Sequence, residues 1–206
     1  MTDPDKRMTF PNPLLVVVSG PSGVGKSTIV AEMARRRPQV VPIVTATTRQ
    51  QRPGEVDGVH YHFMSEHEFA ALRDSDGLLE HANNHGHWYG TPIDQIRGIL
   101  AAGRDAILTI SPEGGRNVRR LVPDALLIFV MPPSMEALTR RLQERGSESE
   151  ASLERRRIDA ERWMAQADEY DHVVVNETGH PEEAAELIWE IIQAEARRDP
   201  PRRPRV

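Results

Sequence analysis

Short apolar runs alternate with amphipathic stretches along most of the chain. The apolar runs lie at 14–18, 40–44, 106–110, 125–131 and 173–175, and helical patterns occupy 26–36 and stretches near 93–102, 134–144, 150–168 and 181–196. A continuous apolar run is typical of a strand that is buried on both faces of a parallel sheet. The alternation of such strands with helices predicts an α/β fold, in which helices flank a parallel sheet.

Two segments interrupt this alternation. In the stretch 45–91, Asp57-Gly58 lies between Glu55-Val56 and Val59–Phe63 and predicts a β-hairpin, and Gly, His and Asn are frequent from 77 to 90. We interpret this stretch as an inserted, mostly antiparallel lobe. The polar sequence ERGSESE at 144–150 lies between two predicted helices, and we interpret it as a mobile lid.

Composition narrows the class of protein. A chain of 206 residues fits one domain. The absence of cysteine excludes disulfides and thiolate chemistry. Since no apolar run is long enough for a membrane span or a signal-peptide core, we expect a cytoplasmic protein. The net charge of −5 argues against nucleic acid as the main partner.

The two ends of the chain are polar and rich in proline. We predict that residues 1–13 form a loose tail. Residues 197–206 contain five arginines and one aspartate, and we predict a disordered basic tail, since such a segment has little apolar surface to bury. Contact of this tail with nucleic acid or acidic lipids is the alternative.

Lysine is scarce in this chain. Of its 26 basic residues, only Lys6 and Lys26 are lysines. A compact ammonium group suits a tight phosphate cradle better than a planar guanidinium group does. The use of lysine at position 26 therefore indicates a specific requirement there.

Residues 20–27 match the phosphate-loop motif G-x-x-x-x-G-K-[ST] in full. The match, Gly20-Pro21-Ser22-Gly23-Val24-Gly25-Lys26-Ser27, follows an apolar strand and precedes a helix, and Thr28 continues that helix. Glycines allow backbone N–H groups to surround a phosphate at a helix N-terminus. Lys26 is then expected to reach the β- and γ-phosphates of ATP, and the Ser27 hydroxyl to bind Mg²⁺.

From residue 15 to about 192 the chain resembles guanylate kinases. The segments that carry the resemblance are SGPSGVGKST at 19–28, TATTRQQRPGEVDGVHYHF at 45–63, GLLEHANNHGHWYGTP at 77–92, PPSMEALTRRLQERGSESE at 132–150 and ADEYDHVVVN at 167–176. The resemblance implies a P-loop nucleoside monophosphate kinase fold. It also implies a domain over 14–196, with a core at 14–44, 92–143 and 157–196, a GMP-binding lobe at 45–91 and a lid at about 144–156.

The resemblance assigns roles to residues of the inserted lobe. Arg49, Arg52, Tyr61 and Tyr89 resemble the ligands of the acceptor phosphate, and guanidinium forks and phenol hydroxyls suit a dianion. An ion pair within the fold is a less expected use of Arg49 and Arg52. Glu80 resembles the carboxylate that accepts hydrogen bonds from the guanine edge. Thr45 and Thr91 resemble hydroxyl contacts to the base, although Thr91-Pro92 also suits a helix N-cap.

Further roles are implied on the ATP side. Arg141, Arg145 and Arg156 resemble the lid arginines that close over the transferring phosphoryl group, where fixed cations stabilise developing charge. Asn176 resembles a residue beside the adenine site. Arginines on helix surfaces are more often simply solvated, so these roles rest on the resemblance.

A histidine group in the lobe raises the question of a metal. His81, His85 and His87 lie close in sequence, with His60 and His62 upstream. The spacing is compatible with a metal site, but the nucleotide-binding lobe of the resembled family has a use for this region without one. We expect no functional metal there.

The chain departs from the resembled family after the strand at 106–110. Thr109 and Ser111 stand where the family has carboxylates, one near the metal and phosphates and the other on the guanine, and Glu113 occupies a glutamine position. Glu113 is the nearby carboxylate that could compensate. The absence of carboxylates at positions 109 and 111 affects two expected properties, guanine specificity and the positioning of metal-bound water.

The resemblance implies Mg²⁺-dependent transfer of a phosphoryl group from ATP to GMP, and to dGMP, in purine metabolism. The substrates are small molecules, and the protein is expected to be a monomer or homodimer without membrane or nucleic-acid partners. One alternative is a related kinase with an altered acceptor base, which Thr109 and Ser111 suggest. The other is a non-catalytic binding module, which has little reason to retain Lys26, Ser27 and the lid arginines.

Overall fold

The computed structural model describes residues 12–84, 86–144 and 150–206. Its strands are β1 (Leu15–Ser19), β2 (Val40–Pro42), β3 (Ala46–Thr47), β4 (His62–Phe63), β5 (Leu78–Asn84), β6 (His87–Pro92), β7 (Asp105–Thr109), β8 (Leu126–Met131) and β9 (His172–Val175). Its helices are α1 (Lys26–Arg36), α2 (Glu66–Asp74), α3 (Ile93–Ala101), α4 (Pro112–Leu121), α5 (Met135–Glu144), α6 (Glu150–Met164) and α7 (Pro181–Ala196), with a 3₁₀ turn at Ala167–Glu169.

Five strands form the parallel sheet that the apolar runs predict. Its strand order is β2-β7-β1-β8-β9, and each neighbouring pair is parallel. All five residues of β1 are buried. Val16 and Val18 pack in a core shared with α1, α5 and α7, whereas Leu15 and Val17 pack on the other face with α3 and α4. Burial on both faces explains why this strand is apolar throughout.

The inserted lobe contains a second sheet with the order β4-β3-β6-β5. Its two longest strands, β5 and β6, pair antiparallel, as do β3 and β6. The predicted hairpin at Asp57-Gly58 is wrong, because β4 returns to pair parallel with β3. The Asp57 carboxylate accepts a hydrogen bond from the Phe63 N–H (2.8 Å). This bond closes the chain into a compact loop instead of two paired strands.

Two helices, α2 and α4, were not indicated by the apolar pattern. α2 begins with a complete capping box, in which Ser65 and Glu68 bond each other's backbone N–H groups. α4 begins with Ser111 as N-cap and Pro112 as its first residue. Two glycines follow, which disfavour a helix on propensity alone.

The C-terminal segment packs against the body, so the prediction of a disordered tail at 197–206 differs from the structure. The Arg202 side chain is 8% exposed and donates to Glu195 (2.7 Å) and to the Ala125 carbonyl (3.1 Å). It also lies 3.3 Å from Asp171. Two carboxylates and a carbonyl satisfy the planar guanidinium, and these contacts offset the entropy of ordering the segment.

The predicted tail at 1–13 lies mostly outside the described residues. Lys6, His85 and residues 145–149 of the predicted lid, with Arg145 among them, also lie outside them. Within the described ranges, no helix has the length and apolar character needed to cross a membrane.

Candidate active site

The phosphate loop connects β1 to α1 at the carboxyl end of the parallel sheet. Gly20 and Gly25 have φ values of 143° and 102°, which favour glycine. A Cβ at Gly20 would clash with the Val130 carbonyl, and one at Gly25 would lie 2.5 Å from the Asn176 amide nitrogen. The loop therefore needs glycine for both conformation and space.

Lys26 is the first residue of α1 and its side chain folds back across the loop. Its Nζ donates to the Gly20 carbonyl (2.6 Å) and the Pro21 carbonyl (3.1 Å). The ammonium group therefore lies over the loop where the motif predicts phosphate. Ser27 and Thr28 are exposed on the first helical turn.

The donor set suits a magnesium ion that is held mainly by substrate and water. Ser27 offers one exposed hydroxyl at the loop. The end of β7, which pairs with β1 in the register Val18–Thr109, offers Thr109 and then Ser111 instead of carboxylates. Mg²⁺ usually keeps several waters and binds through substrate phosphates with few protein ligands, so this set fits it.

Three predicted ATP-side residues contact the phosphate loop. Arg156 donates to the Ser22 hydroxyl (2.8 Å). Arg141 donates to the Val24 carbonyl (3.2 Å), and the Asn176 side-chain amide donates to the same carbonyl (2.7 Å). The structure thus brings α5, α6 and the end of β9 together around the loop.

Glu80 lies in β5 and is buried, with 7% of its surface exposed. Its carboxylate accepts a hydrogen bond from the Thr91 hydroxyl (2.7 Å). Burial raises the pKa of Glu80, and the Thr91 bond offsets part of that effect. The other carboxylate oxygen lies 3.3 Å from the position of a Cβ on Gly114. A buried carboxylate of this kind can recognise hydrogen-bond donors on a ligand.

The start of α4 lies next to Glu80. Ser111 caps α4, since its hydroxyl accepts from the Gly114 N–H (3.3 Å). Glu113 is exposed and lines a cavity of about 400 Å³ beside Arg116 and Tyr170. Compensation by Glu113, left open by the sequence, gains no support from this placement.

Arg49, Tyr61 and Tyr89 cluster in the inserted lobe. The Tyr61 and Tyr89 ring centroids are 6.0 Å apart, and the Arg49 guanidinium lies 5.4 Å from the Tyr61 ring centroid. Arg49 also pairs with Glu55 (2.8 Å), with both side chains less than a fifth exposed. Arg49 therefore makes an ion pair within the fold, which was its less expected use. Glu55 is a further member of this cluster, and the turn signal Pro53-Gly54 could have indicated it: the Glu55 N–H closes that turn on the Arg52 carbonyl (3.1 Å).

Glu55 and Arg52 complete this cluster. Burial opposes the ionisation of Glu55, but hydrogen bonds from Arg49 and from the Arg52 N–H (2.8 Å) hold its pKa below the usual value. The Arg52 side chain is exposed. Thr45 is buried just before β3, and its carbonyl accepts from the His62 N–H (2.9 Å). The cluster gathers two guanidinium groups and two phenol rings around the carboxylate of Glu55.

Among the described residues, the metal-ligand atoms that gather within 4.8 Å of one another belong to His180, Glu182 and Glu183. These side chains are exposed at the start of α7, outside the inserted lobe. Within the lobe, the His60 ring accepts a hydrogen bond from the Val56 N–H (2.9 Å).

A parallel sheet with a complete phosphate loop at its carboxyl end, joined to an inserted lobe with a buried carboxylate, defines a P-loop kinase of small molecules. Comparison with known proteins identifies the family. The guanylate kinase family model matches residues 12–195. The chain therefore belongs to the guanylate kinase family.

Individual relatives support this assignment. A guanylate kinase of Desulfitobacterium hafniense is 47% identical over 164 residues, covering 80% of this chain and 82% of that protein. One from Thermobifida fusca is 48% identical over 166 residues, covering 81% and 85%. The crystal structure of the guanylate kinase from Anaplasma phagocytophilum aligns with a TM-score of 0.76 and 30% identity, covering 91% of this chain and 88% of that one.

Proposed function

We propose that this protein transfers the γ-phosphoryl group of ATP directly to the phosphate of GMP, or of dGMP, and releases ADP and the nucleoside diphosphate. The observation that carries the proposal is that one chain holds both a phosphate loop and a buried carboxylate that can recognise a base. A phosphate loop crossed by Lys26 lies at the sheet, and the buried carboxylate of Glu80 lies in the adjoining lobe. Guanine presents an N1–H and a 2-amino group side by side, and one carboxylate can accept from both.

The reaction needs no covalent intermediate, because positioning and charge stabilisation supply most of phosphoryl-transfer catalysis. In this proposal Lys26 and Arg156 neutralise charge on the transferring group, and Arg145 acts from the lid at about 144–156. Arg49, Arg52, Tyr61 and Tyr89 hold the acceptor phosphate, with Arg49 exchanging Glu55 for phosphate. Mg²⁺ held by Ser27 and substrate phosphates would screen the charge of the triphosphate.

Other parts of the site take supporting roles in the same proposal. Thr45, Thr91 and Ser111 flank the guanine, and Asn176 lies beside the adenine of ATP. The lobe at 45–91 is the acceptor-binding part, and 14–44, 92–143 and 157–196 form the core. We place the enzyme in cytoplasmic purine metabolism as a monomer or homodimer that acts on small molecules, which its net charge of −5 favours over nucleic acid.

Turnover with ATP and each nucleoside monophosphate tests the proposal. GMP should give the highest kcat/KM, and EDTA should stop the reaction until Mg²⁺ is restored. Lys26→Ala should retain the circular dichroism spectrum and lose two or more orders of magnitude in kcat, on the scale of other electrostatic stabilising groups. Near-normal kcat in this variant would contradict a kinase mechanism. Preference for AMP, IMP or a pyrimidine nucleotide would instead establish the altered-acceptor kinase that Thr109 and Ser111 suggest.

A further inference from the structure

One carbonyl group of the phosphate loop accepts hydrogen bonds from two separate elements. The Val24 carbonyl receives the Asn176 side-chain amide at 2.7 Å and the Arg141 guanidinium at 3.2 Å. Val24 and Asn176 are both buried. The opposite assignment of the Asn176 amide would place two oxygen atoms 2.7 Å apart, so the nitrogen must face the loop.

The direction of this carbonyl determines the direction of an N–H group. In a planar trans peptide, the C=O and the N–H point to opposite sides. The Val24 C=O points towards Asn176 and Arg141, so the Gly25 N–H of the same peptide points away from them. Gly-rich loops bind phosphate by turning such N–H groups inward. With its φ of 102° and no side chain, Gly25 has little of its own to fix this peptide orientation.

We propose that Asn176 and Arg141 are positioning residues that hold the Val24–Gly25 peptide so that its N–H faces the phosphates of ATP. This inference rests on the proposed function in that it takes ATP as the ligand of the loop. It changes the role of Arg141 from a cation that acts directly on the transferring group to a support of the loop backbone. For Asn176 it adds a contact with the loop to the expected place beside the adenine.

The two supports are anchored differently. The Asn176 N–H donates to the Met131 carbonyl (2.8 Å), which ties Asn176 to the end of β8 in the sheet. Arg141 belongs to α5 and also donates to the Asn176 carbonyl (3.0 Å) and to the Thr178 hydroxyl (3.1 Å). Thr178 is a third member of this group that sequence analysis did not identify. Asn176 is thus anchored on the parallel sheet, and Arg141 is anchored on α5.

A double-mutant cycle on Asn176→Ala and Arg141→Ala tests the inference. The measurements are the Kd of ADP by calorimetry and the KM values for ATP and GMP. Each single variant should weaken ADP and ATP binding by up to about tenfold, as expected when a buried hydrogen bond is lost, and should leave the KM for GMP unchanged. Because both residues bond one carbonyl, the double variant should deviate from the product of the single effects by about threefold or more.

Matched controls and the unmodified protein separate the possible outcomes. Arg140→Ala alters the exposed neighbour of Arg141 and should leave the Kd of ADP unchanged. If the change in the Kd of ADP in the double variant equals the product of the two single changes, the inference is overturned, because the two residues then do not act through one peptide. A fall in thermal stability without a change in ADP affinity would overturn it too. If the unmodified protein binds ADP but does not phosphorylate GMP, the proposed function fails while the cycle on ADP still tests this inference.

Discussion

Asp105 offers a test of the fold that is independent of the active site. It is the first residue of β7, at the end of the sheet opposite the phosphate loop, and is 2% exposed. Its carboxylate accepts a hydrogen bond from the Leu14 N–H (2.9 Å). Burial raises the pKa of Asp105 to about 6, and the Leu14 bond offsets part of this effect. Asp105→Asn keeps an oxygen that can accept the Leu14 bond but removes the charge.

The sign of the effect follows from the two pKa values. The folded-state pKa of about 6 lies above the unfolded value of about 3.9, so the folded protein binds the proton more tightly. Well below pH 4 the carboxyl is protonated in both states and contributes no penalty. As pH rises through the window from about 4 to 6, ionisation destabilises the fold. Above that window the penalty is complete at about 3 kcal/mol, since each pKa unit is worth about 1.4 kcal/mol.

Urea unfolding followed by circular dichroism from pH 4 to 8 measures this penalty. The unfolding free energy of Asp105→Asn minus that of the parent protein should rise by about 2 kcal/mol between pH 4 and pH 7, because the unfolded chain is already partly ionised at pH 4. Any cost of the unpartnered amide N–H groups is the same at every pH and does not affect this slope. Asp94→Asn, at a side chain that is 90% exposed, is the matched control. A difference that stays constant across this range would refute the reasoning.

Three other predictions concern the base site and the C-terminal segment. Glu80→Gln can still accept from Thr91 but loses a charged acceptor, so kcat/KM for GMP should fall by about ten- to a hundredfold. Burial raises the pKa of Glu80, so kcat/KM for GMP in the parent protein should fall as the pH drops through that pKa. Glu80→Gln cannot titrate at this position, and its kcat/KM should show no such fall in steady-state kinetics. Ser111→Asp keeps a helix cap and places a carboxylate near Glu80, so it should improve kcat/KM for GMP by about tenfold. Glu113→Gln should leave kcat/KM for GMP unchanged. The reverse pattern would show that Glu113 replaces the carboxylate that is missing at position 111. Arg202→Ala removes a buried guanidinium from two carboxylates, which keep Arg119 and His172 as partners, and should lower the unfolding free energy in urea by about 2 kcal/mol. Unchanged stability would contradict the packing of this segment.

Local patterns were sufficient for the sheet and the phosphate loop. The five predicted strands and the helices between them are confirmed, because a strand buried on both faces must be apolar at every position. Lys26 was identified from its motif and from the scarcity of lysine, and its position over the loop follows from the start of α1. The family was also legible in sequence, since its motifs are short and contiguous.

Elements that depend on a distant partner were not predictable in this way. The helix α4 contains Gly114 and Gly115, which have poor helix propensity, yet a Cβ on Gly115 would lie only 2.6 Å from the Tyr170 hydroxyl. Close packing required glycine there, and the helix formed despite its sequence. Likewise, the Asp57-Gly58 turn satisfied a hairpin pattern, but β4 found its partner in β3, outside that turn.

For charged residues too, the sequence indicates the candidates and the tertiary structure decides their partners. The sequence identified Arg49 and Glu80 as candidates because their types suit phosphate and guanine. Only the folded chain shows that Arg49 is paired with Glu55, that Arg202 is buried between carboxylates, and that Asp105 lies where ionisation is costly. Conformational preference is a property of neighbouring residues and can be inferred from a sequence. Desolvation and ion pairing depend on which remote groups the fold brings within a few ångströms, and only the tertiary structure decides that.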